Sequence, residues 1–114
     1  MAVEARSGEV MQGMLDLLIL KVLSLGPNHG WGISQRLQQL SRERFQVNQG
    51  SLYPALQRLA RRGWVSSHWG TSDNNRRARF YRLTREGERQ LDAETEGWAI
   101  FRSAVERVLA ATPG

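Results

Sequence analysis

The chain has 114 residues, of which 40% are hydrophobic and 24% charged, with a formal net charge of +5 and no cysteine. This length predicts one domain with a modest core, and the lack of cysteine excludes disulfides and thiolate sites. Lys21 and Ser24 interrupt the most apolar stretch, and the first ten residues lack the apolar centre of a signal peptide. We therefore expect a cytoplasmic protein without a membrane span.

The excess positive charge is concentrated in the middle of the chain. Residues 44–85 contain nine arginines and a single acid, Asp73, for a balance of +8, whereas residues 1–43 are neutral and residues 86–114 carry −3. This concentration indicates a polyanionic partner, because the guanidinium group binds phosphate through two donors. The alternative is an ordinary soluble surface with an arginine-rich composition. That alternative explains the preference for arginine over lysine, but not the shortage of acids.

Two helices are predicted in the first forty residues. Residues 14–27 are apolar on almost every side, which predicts a helix that ends at Gly26-Pro27. Its own domain and a partner subunit are both expected to cover so apolar a helix. The second helix is predicted for residues 30–40. Its apolar face consists of Ile33, Leu37 and Leu40.

Residues 48–64 predict a third amphipathic helix whose outer face is unusual. Leu52, Leu56 and Leu59 share one side, and Gly63 is placed to end the helix. The other side is polar or basic and contains no acid. The residues expected to face outward are Gln49, Ser51, Pro54, Gln57, Arg58 and Arg61.

Pro54 leaves two starting points open for this third helix. A start near Ser51 places the proline in the first turn, where its missing N–H has no intrahelical partner to lose. An N-cap at Asn48 places it beyond the first turn, with a local distortion. The sequence alone is compatible with both.

After the third helix the pattern changes from helix to strand. Aromatic and β-branched residues in 64–70 and 78–84 predict an antiparallel hairpin from Trp64 to Thr84. Residues 71–77 form a turn cluster, which predicts a basic, flexible tip. The arginines assigned to this tip are Arg76, Arg77 and Arg79.

Thr84 is the predicted N-cap of a last helix, with Glu86 and Glu88 at the positive end of the helix dipole. Apolar residues then recur along one side of this helix. They are Leu91, Trp98 and Val105 at seven-residue intervals, with Phe101 and Val108 at alternate positions. Such a seam usually packs against another helix.

Three helices followed by a two-stranded ribbon predict a winged helix-turn-helix, a mainly α fold with a β-hairpin wing. In this fold the third helix enters the DNA major groove and the wing lies along phosphates. We predict a DNA-binding domain over residues 11–85 and a dimerisation helix over residues 86–111. An acid-free face on the third helix fits this position, because a carboxylate would weaken binding between phosphates. The DNA contacts predicted from the residues are Gln49, Ser51, Pro54, Gln57, Arg58, Arg61, Arg76, Arg77 and Arg79.

Other functional classes have weaker support. A winged helix that binds an acidic protein is the leading alternative, because its surface would carry the same charge. His29 and His68 are isolated from carboxylates and from a third ligand, so neither metal binding nor catalysis is expected. Ser51 has no triad spacing, and Gly30-Trp31-Gly32 is too short for a nucleotide loop. We therefore expect no enzyme and no cofactor.

The segments "LDLLILKVLSLGPNHGWGISQRL", "GSLYPALQRLARRGWV" and "RRARFYRLTREGERQL" resemble the PadR family of bacterial transcriptional regulators. The resemblance covers residues 11–110. Its most specific element is the run from Gly50 to Leu56, supported by Tyr81-Leu83-Thr84-Gly87 after the wing. It implies a homodimeric repressor of the smaller branch, with one terminal helix, in which Tyr53 and the wing contact the DNA backbone. A half-buried packing role for Tyr53 is the alternative.

The resemblance also implies how two subunits would meet, with the last helix of each packed on the first helix of the other. The residues predicted for this interface are Leu15, Leu18, Val22, Leu91, Trp98, Phe101, Val105 and Val108. Some PadR relatives hold flat hydrophobic compounds there, so Trp98 is either a candidate effector residue or simply part of the dimer seam. The chain departs from the family at His29-Gly30-Trp31-Gly32, where relatives usually have His-Gly-Tyr and then a polar residue. Any polar contact made there in relatives is therefore in doubt.

Overall fold

The computed structural model describes residues 8–114, with side chains from residue 13 onward. Its elements are α1 (Gly8–Ser24), β1 (Asn28–His29), α2 (Gly30–Leu40), α3 (Gln49–Arg61), β2 (Val65–Thr71), β3 (Arg77–Leu83) and α4 (Arg85–Leu109). The strands form one antiparallel sheet in the order β1-β3-β2. The predicted fold, mainly helical with a hairpin wing, is confirmed. None of the helices described is both long and apolar enough to cross a membrane.

Helix α1 is the central element of the core. It begins at Gly8, earlier than the predicted residue 14. Ile19 and Leu20 are fully buried, and the helix lies against α2, α3 and α4. Gly26 follows with a φ of 145°, a conformation that few other residues adopt, and ends the helix as predicted.

Helix α2 has the predicted bounds, and its predicted apolar residues differ in burial. Ile33 and Leu37 are buried, whereas Leu40 is 52% exposed. Leu40 is the last residue of the helix. At the other end, Nδ1 of His29 accepts a hydrogen bond of 3.1 Å from the amide of Gly32, which makes this histidine the N-cap.

Helix α3 begins at the earlier of the two starting points. The side chain of Asn48 accepts a hydrogen bond of 2.9 Å from the amide of Ser51 and caps the helix. The helix continues through Pro54, whose missing N–H leaves the carbonyl of Gly50 without its helical donor. Gly50 is exposed, so water can satisfy that carbonyl. Gly63 ends the helix with a φ of 78°.

Strand β1 is a short element that the sequence pattern did not predict. Asn28 and His29 pair with Tyr81 and Phe80 of β3. The ring of Phe80 lies edge-on to His29, with 5.2 Å between centroids, and stacks on His68 at 5.8 Å. The contact of Phe80 with His29 therefore joins the wing to the start of α2, whereas its contact with His68 lies within the wing.

The tip of the wing is a hydrogen-bonded turn. The amide of Ser72 donates to the carbonyl of Arg76 at 2.8 Å, and the amide of Asn75 donates to the carbonyl of Ser72 at 2.9 Å. Arg77 and Arg79 do not belong to the turn, because both lie in β3.

Helix α4 starts at the predicted cap and then extends away from the core. Thr84 accepts a hydrogen bond of 3.0 Å from the amide of Gly87 and donates one of 2.7 Å to the carbonyl of Gly63. Leu91 packs against the core, but most residues beyond it are exposed. The molecule is consequently elongated, with extents of 62 × 28 × 21 Å.

Candidate nucleic-acid interface

The outer face of α3 is the first part of the candidate interface. The inner face is fully buried through Leu52, Ala55, Leu56 and Leu59. The outer face exposes Ser51, Tyr53, Pro54, Gln57 and Arg61. Hydroxyl, amide and guanidinium groups are the side-chain types that hydrogen-bond to base edges and phosphates. No acid interrupts this surface.

Arg58 does not belong to the exposed face, so its predicted outward position is wrong. Its Nη2 atom donates to Oδ1 of Asp16 in α1 at 2.8 Å, and the arginine side chain is only 21% exposed. Asp16 is itself 8% exposed. A carboxylate within the apolar helix α1 requires a cationic partner. The single acid in this apolar stretch was the feature of the sequence that could have indicated the pair.

Gln49 was also predicted to face outward, and it does not. Its Nε2 atom donates to Oγ of Ser34 in α2 at 3.0 Å, and its Oε1 atom is buried without a hydrogen-bond partner among the described residues. The side chain is therefore committed to the contact between α2 and α3. Nothing in the local pattern of α3 indicates this contact, because Ser34 belongs to another helix.

Tyr53 combines the two roles that the sequence left open. It is 46% exposed, yet its ring packs on the start of α2. A β-carbon on Gly30 would lie 3.1 Å from Cζ and from the hydroxyl oxygen of Tyr53. The hydroxyl end of this tyrosine thus has a fixed position at the edge of the exposed face.

The wing forms the second part of the candidate interface. The sheet register places Trp69 opposite Arg79 on one face. The guanidinium carbons of Arg77 and Arg79 lie 4.6 Å and 5.5 Å from the centroid of the Trp69 ring, which is 55% exposed. Nε of Arg79 also donates to Oγ of Ser67 at 3.0 Å. Cation–π contacts of this kind hold the two cations in place.

Tyr81 follows Arg79 on the same face of β3, at the buried end of the wing. It is 6% exposed, and burial raises the pKa of its phenol above the ordinary value of 10.0, although Arg79 acts in the opposite direction. The phenol is therefore neutral at physiological pH. It adds no negative charge beside Arg79.

The predicted dimer residues fall into two groups. Leu15 and Val22 are only 5% and 3% exposed, because α2, α3 and α4 of the same chain lie against α1, so they offer little surface to a partner subunit. Leu18 and Leu91 are partly buried against the same core. The remaining residues are exposed on one side of α4. They are Trp98 (38%), Phe101 (61%), Val105 (38%) and Val108 (74%), joined by Leu109 (78%), which lies outside the predicted set.

Three helices, a two-stranded wing and an acid-free third helix define a winged helix-turn-helix of the transcription-regulator class. Residues 19–93 match the model of the transcriptional regulator PadR-like family. The chain belongs to this family, as its resemblance predicted. It is accordingly a DNA-binding transcriptional regulator and not an enzyme.

Solved structures agree with this assignment. A transcriptional regulator from Clostridium thermocellum is 27% identical, with a TM-score of 0.79 over 87% of this chain and 96% of that one. A PadR family transcriptional regulator from Eggerthella lenta is 26% identical, with a TM-score of 0.78 over 91% of this chain and 88% of that one. A PadR family regulator from Clostridium difficile is also 26% identical, with a TM-score of 0.71 over 83% and 97%.

Proposed function

We propose that the protein is a homodimeric repressor that binds an operator with inverted-repeat symmetry. The observation that carries this proposal is the acid-free outer face of α3, together with the wing arginines that lie over the ring of Trp69. Both surfaces suit double-stranded DNA, a polyanion whose major groove exposes base edges. Repression would follow from occupancy, because a dimer seated on a promoter excludes RNA polymerase from the same DNA.

In this proposal α3 enters the major groove. Ser51, Gln57 and Arg61 hydrogen-bond to base edges or phosphates, since all three are exposed. Tyr53 and Pro54 lie at the edge of the groove, where the tyrosine hydroxyl donates to a backbone phosphate. Arg58 and Gln49 take no part in reading bases, because each is already bonded to another helix.

The wing supplies affinity through the phosphate backbone. Arg76 lies in the turn, and Arg77 and Arg79 extend the same positive surface along β3. Guanidinium groups already held on Trp69 lose less side-chain entropy when they bind than free ones do. The wing is therefore expected to contact DNA of any sequence.

The exposed apolar side of α4 supports dimerisation. Trp98, Phe101 and Val105 form a contiguous surface on one side of the helix, with 6.1 Å between the two aromatic ring centroids. Soluble monomers rarely expose such a surface, and its spacing suits packing against another helix. A two-fold dimer would present two α3 helices one duplex turn apart, roughly 34–36 Å.

Selection of binding sites from random duplexes tests the proposal directly. We expect an inverted repeat, and an affinity for the selected duplex whose logarithm falls linearly with the logarithm of salt concentration, with a slope of about 0.9 for each phosphate neutralised. A double variant of α3, Gln57→Ala with Arg61→Ala, should lose the sequence preference. Recovery of no inverted repeat, together with a shallow salt dependence, would instead support the binding of an acidic protein.

A further inference from the structure

The contact between Asp16 and Arg58 is a directional polar link inside an otherwise apolar interface. The two residues are 42 positions apart and join α1 to α3 at 2.8 Å, with side chains only 12% and 21% exposed. Ile19 of α1 and Leu56 of α3 belong to the apolar core around them and are fully buried. The pair is thus largely shielded from solvent.

Stability alone is a weak explanation for such a pair. Removing two charges from water offsets much of their attraction, and apolar residues of similar volume often stabilise a protein as well or better. A partly buried ion pair differs from apolar contacts in its geometry, because it favours one relative position of the two helices. Apolar side chains permit small sliding and rotation at similar energy.

The Asp16–Arg58 pair lies between the recognition helix and the helix that contacts α4. Helix α1 packs on both α3 and α4. Helix α4 carries the exposed apolar surface through which we expect the dimer to form. The orientation of α3 relative to that surface therefore depends on how α3 is held on α1.

We propose that Asp16 and Arg58 are positioning residues that fix α3 on α1 and so set the distance and rotation between the two recognition helices of a dimer. This inference rests on the proposed function. Arg58 then determines the spacing of half-sites, whereas the exposed residues of α3 contact the bases. The inference concerns discrimination between operators, not affinity for DNA in general.

The test uses the full chain and two duplexes. One carries the inverted repeat selected by the wild type, and the other carries the same half-sites with one base pair inserted between them. The insertion rotates one half-site by about 34° about the duplex axis. The variant replaces both charges, Asp16→Leu with Arg58→Met, so the net charge and the general attraction to phosphates are unchanged.

A matched control is available on α4. Glu86 and Arg89 form an exposed pair at 3.3 Å, and Glu86→Leu with Arg89→Met removes the same two charges there. We expect the wild type and this control to prefer the selected spacing by roughly tenfold or more, and the Asp16/Arg58 variant by about threefold or less. Unchanged thermal unfolding and unchanged binding to random duplexes in the Asp16/Arg58 variant would complete the expected result.

Wild-type discrimination by the folded Asp16/Arg58 variant would overturn the inference while leaving the proposed function intact. If that variant does not fold, Asp16→Asn, which keeps the shape of the side chain, is measured in its place. A weaker preference of Asp16→Asn for the selected spacing supports the inference, and a preference as strong as that of the wild type overturns it. If the wild type itself selects no inverted repeat, the proposed function fails, and the inference fails with it.

Discussion

The ring of Tyr53 rests on the backbone of Gly30, with its Cζ and hydroxyl oxygen 3.1 Å from the place that a β-carbon on Gly30 would occupy. This contact joins the exposed face of α3 to the first residue of α2. A β-carbon at residue 30 would crowd Tyr53 and also Oε1 of Gln49, which lies at the same distance of 3.1 Å, so a neighbouring side chain would have to move. The position of the hydroxyl, which we expect to meet a phosphate, is therefore set partly by α2.

Gly30→Ala is the first prediction. The added methyl group has to displace the tyrosine ring by a few tenths of an ångström, which moves the hydroxyl away from the DNA backbone. We expect affinity for selected and random duplexes to fall by about threefold. Thermal unfolding should change little, because alanine favours a helix over glycine by about 0.5–1 kcal/mol and offsets the crowding.

Gly97→Ala is the control for this substitution, since residue 97 also lies in a helix and a β-carbon there meets nothing within 4 Å. It should gain helix stability without a change in DNA affinity. Titration of both variants with the same duplexes makes the comparison. Wild-type affinity in Gly30→Ala would show that the position of Tyr53 has no role in binding.

Local signals in the sequence were sufficient for most of the fold. The bounds of α2 and the cap at Thr84 agree with the structure, because helix periodicity and capping depend on neighbouring residues. Strand β1 was missed, since its two residues form a strand only through pairing with β3. The start of α3 was ambiguous in the sequence, and the structure shows Asn48 as its cap.

The candidate site was less predictable than the fold. The exposed positions of Ser51, Gln57 and Arg61 follow from the period of the apolar residues in α3. Arg58 was misplaced because its partner, Asp16, is distant in the chain, and a polar residue at the border of a helix face is compatible with either orientation. The periodicity of a helix does not show which residues of other elements its side chains contact.

The second prediction concerns dimerisation. Trp98→Asp places a charge in the middle of the exposed apolar side of α4, and burial of an unpaired carboxylate opposes association. In analytical ultracentrifugation we expect the wild type to sediment as a dimer and this variant as monomers or aggregates. Ile100→Asp is the control, because residue 100 is 64% exposed and points to the opposite side of the same helix. A well-folded dimer in Trp98→Asp would exclude this surface as the interface.

The third prediction separates affinity from sequence preference in the wing. Replacement of Arg76, Arg77 and Arg79 by alanine should weaken selected and random duplexes by the same factor, because interactions with the DNA backbone carry no sequence information. The slope of log affinity against log salt should become shallower by about 0.9 for each phosphate that the variant no longer neutralises.

A matched triple variant on α4 provides the control for charge. Replacement of Arg89, Arg102 and Arg107 by alanine removes the same number of cations from α4, which is not expected to contact DNA. This variant should retain most of the wild-type salt dependence. Weaker binding of the selected duplex alone by the wing variant would mean that the stacked arginines read sequence as well.

The last prediction distinguishes the two kinds of contact proposed for α3. Gln57 is exposed on the middle turn of the helix, so its amide can pair with a base edge in the major groove. Gln57→Ala should cost about 1–3 kcal/mol on the selected operator and relax preference at one symmetric pair of positions. Tyr53→Phe removes only a hydroxyl from the edge of the groove, and should weaken every duplex by a similar factor. Parallel selection experiments with the wild type and both variants measure preference, and titrations measure affinity. If Gln57→Ala left the selected sequence unchanged while Tyr53→Phe altered it, the two roles would be reversed, and the edge of α3 at Tyr53 would be the part that reads the bases.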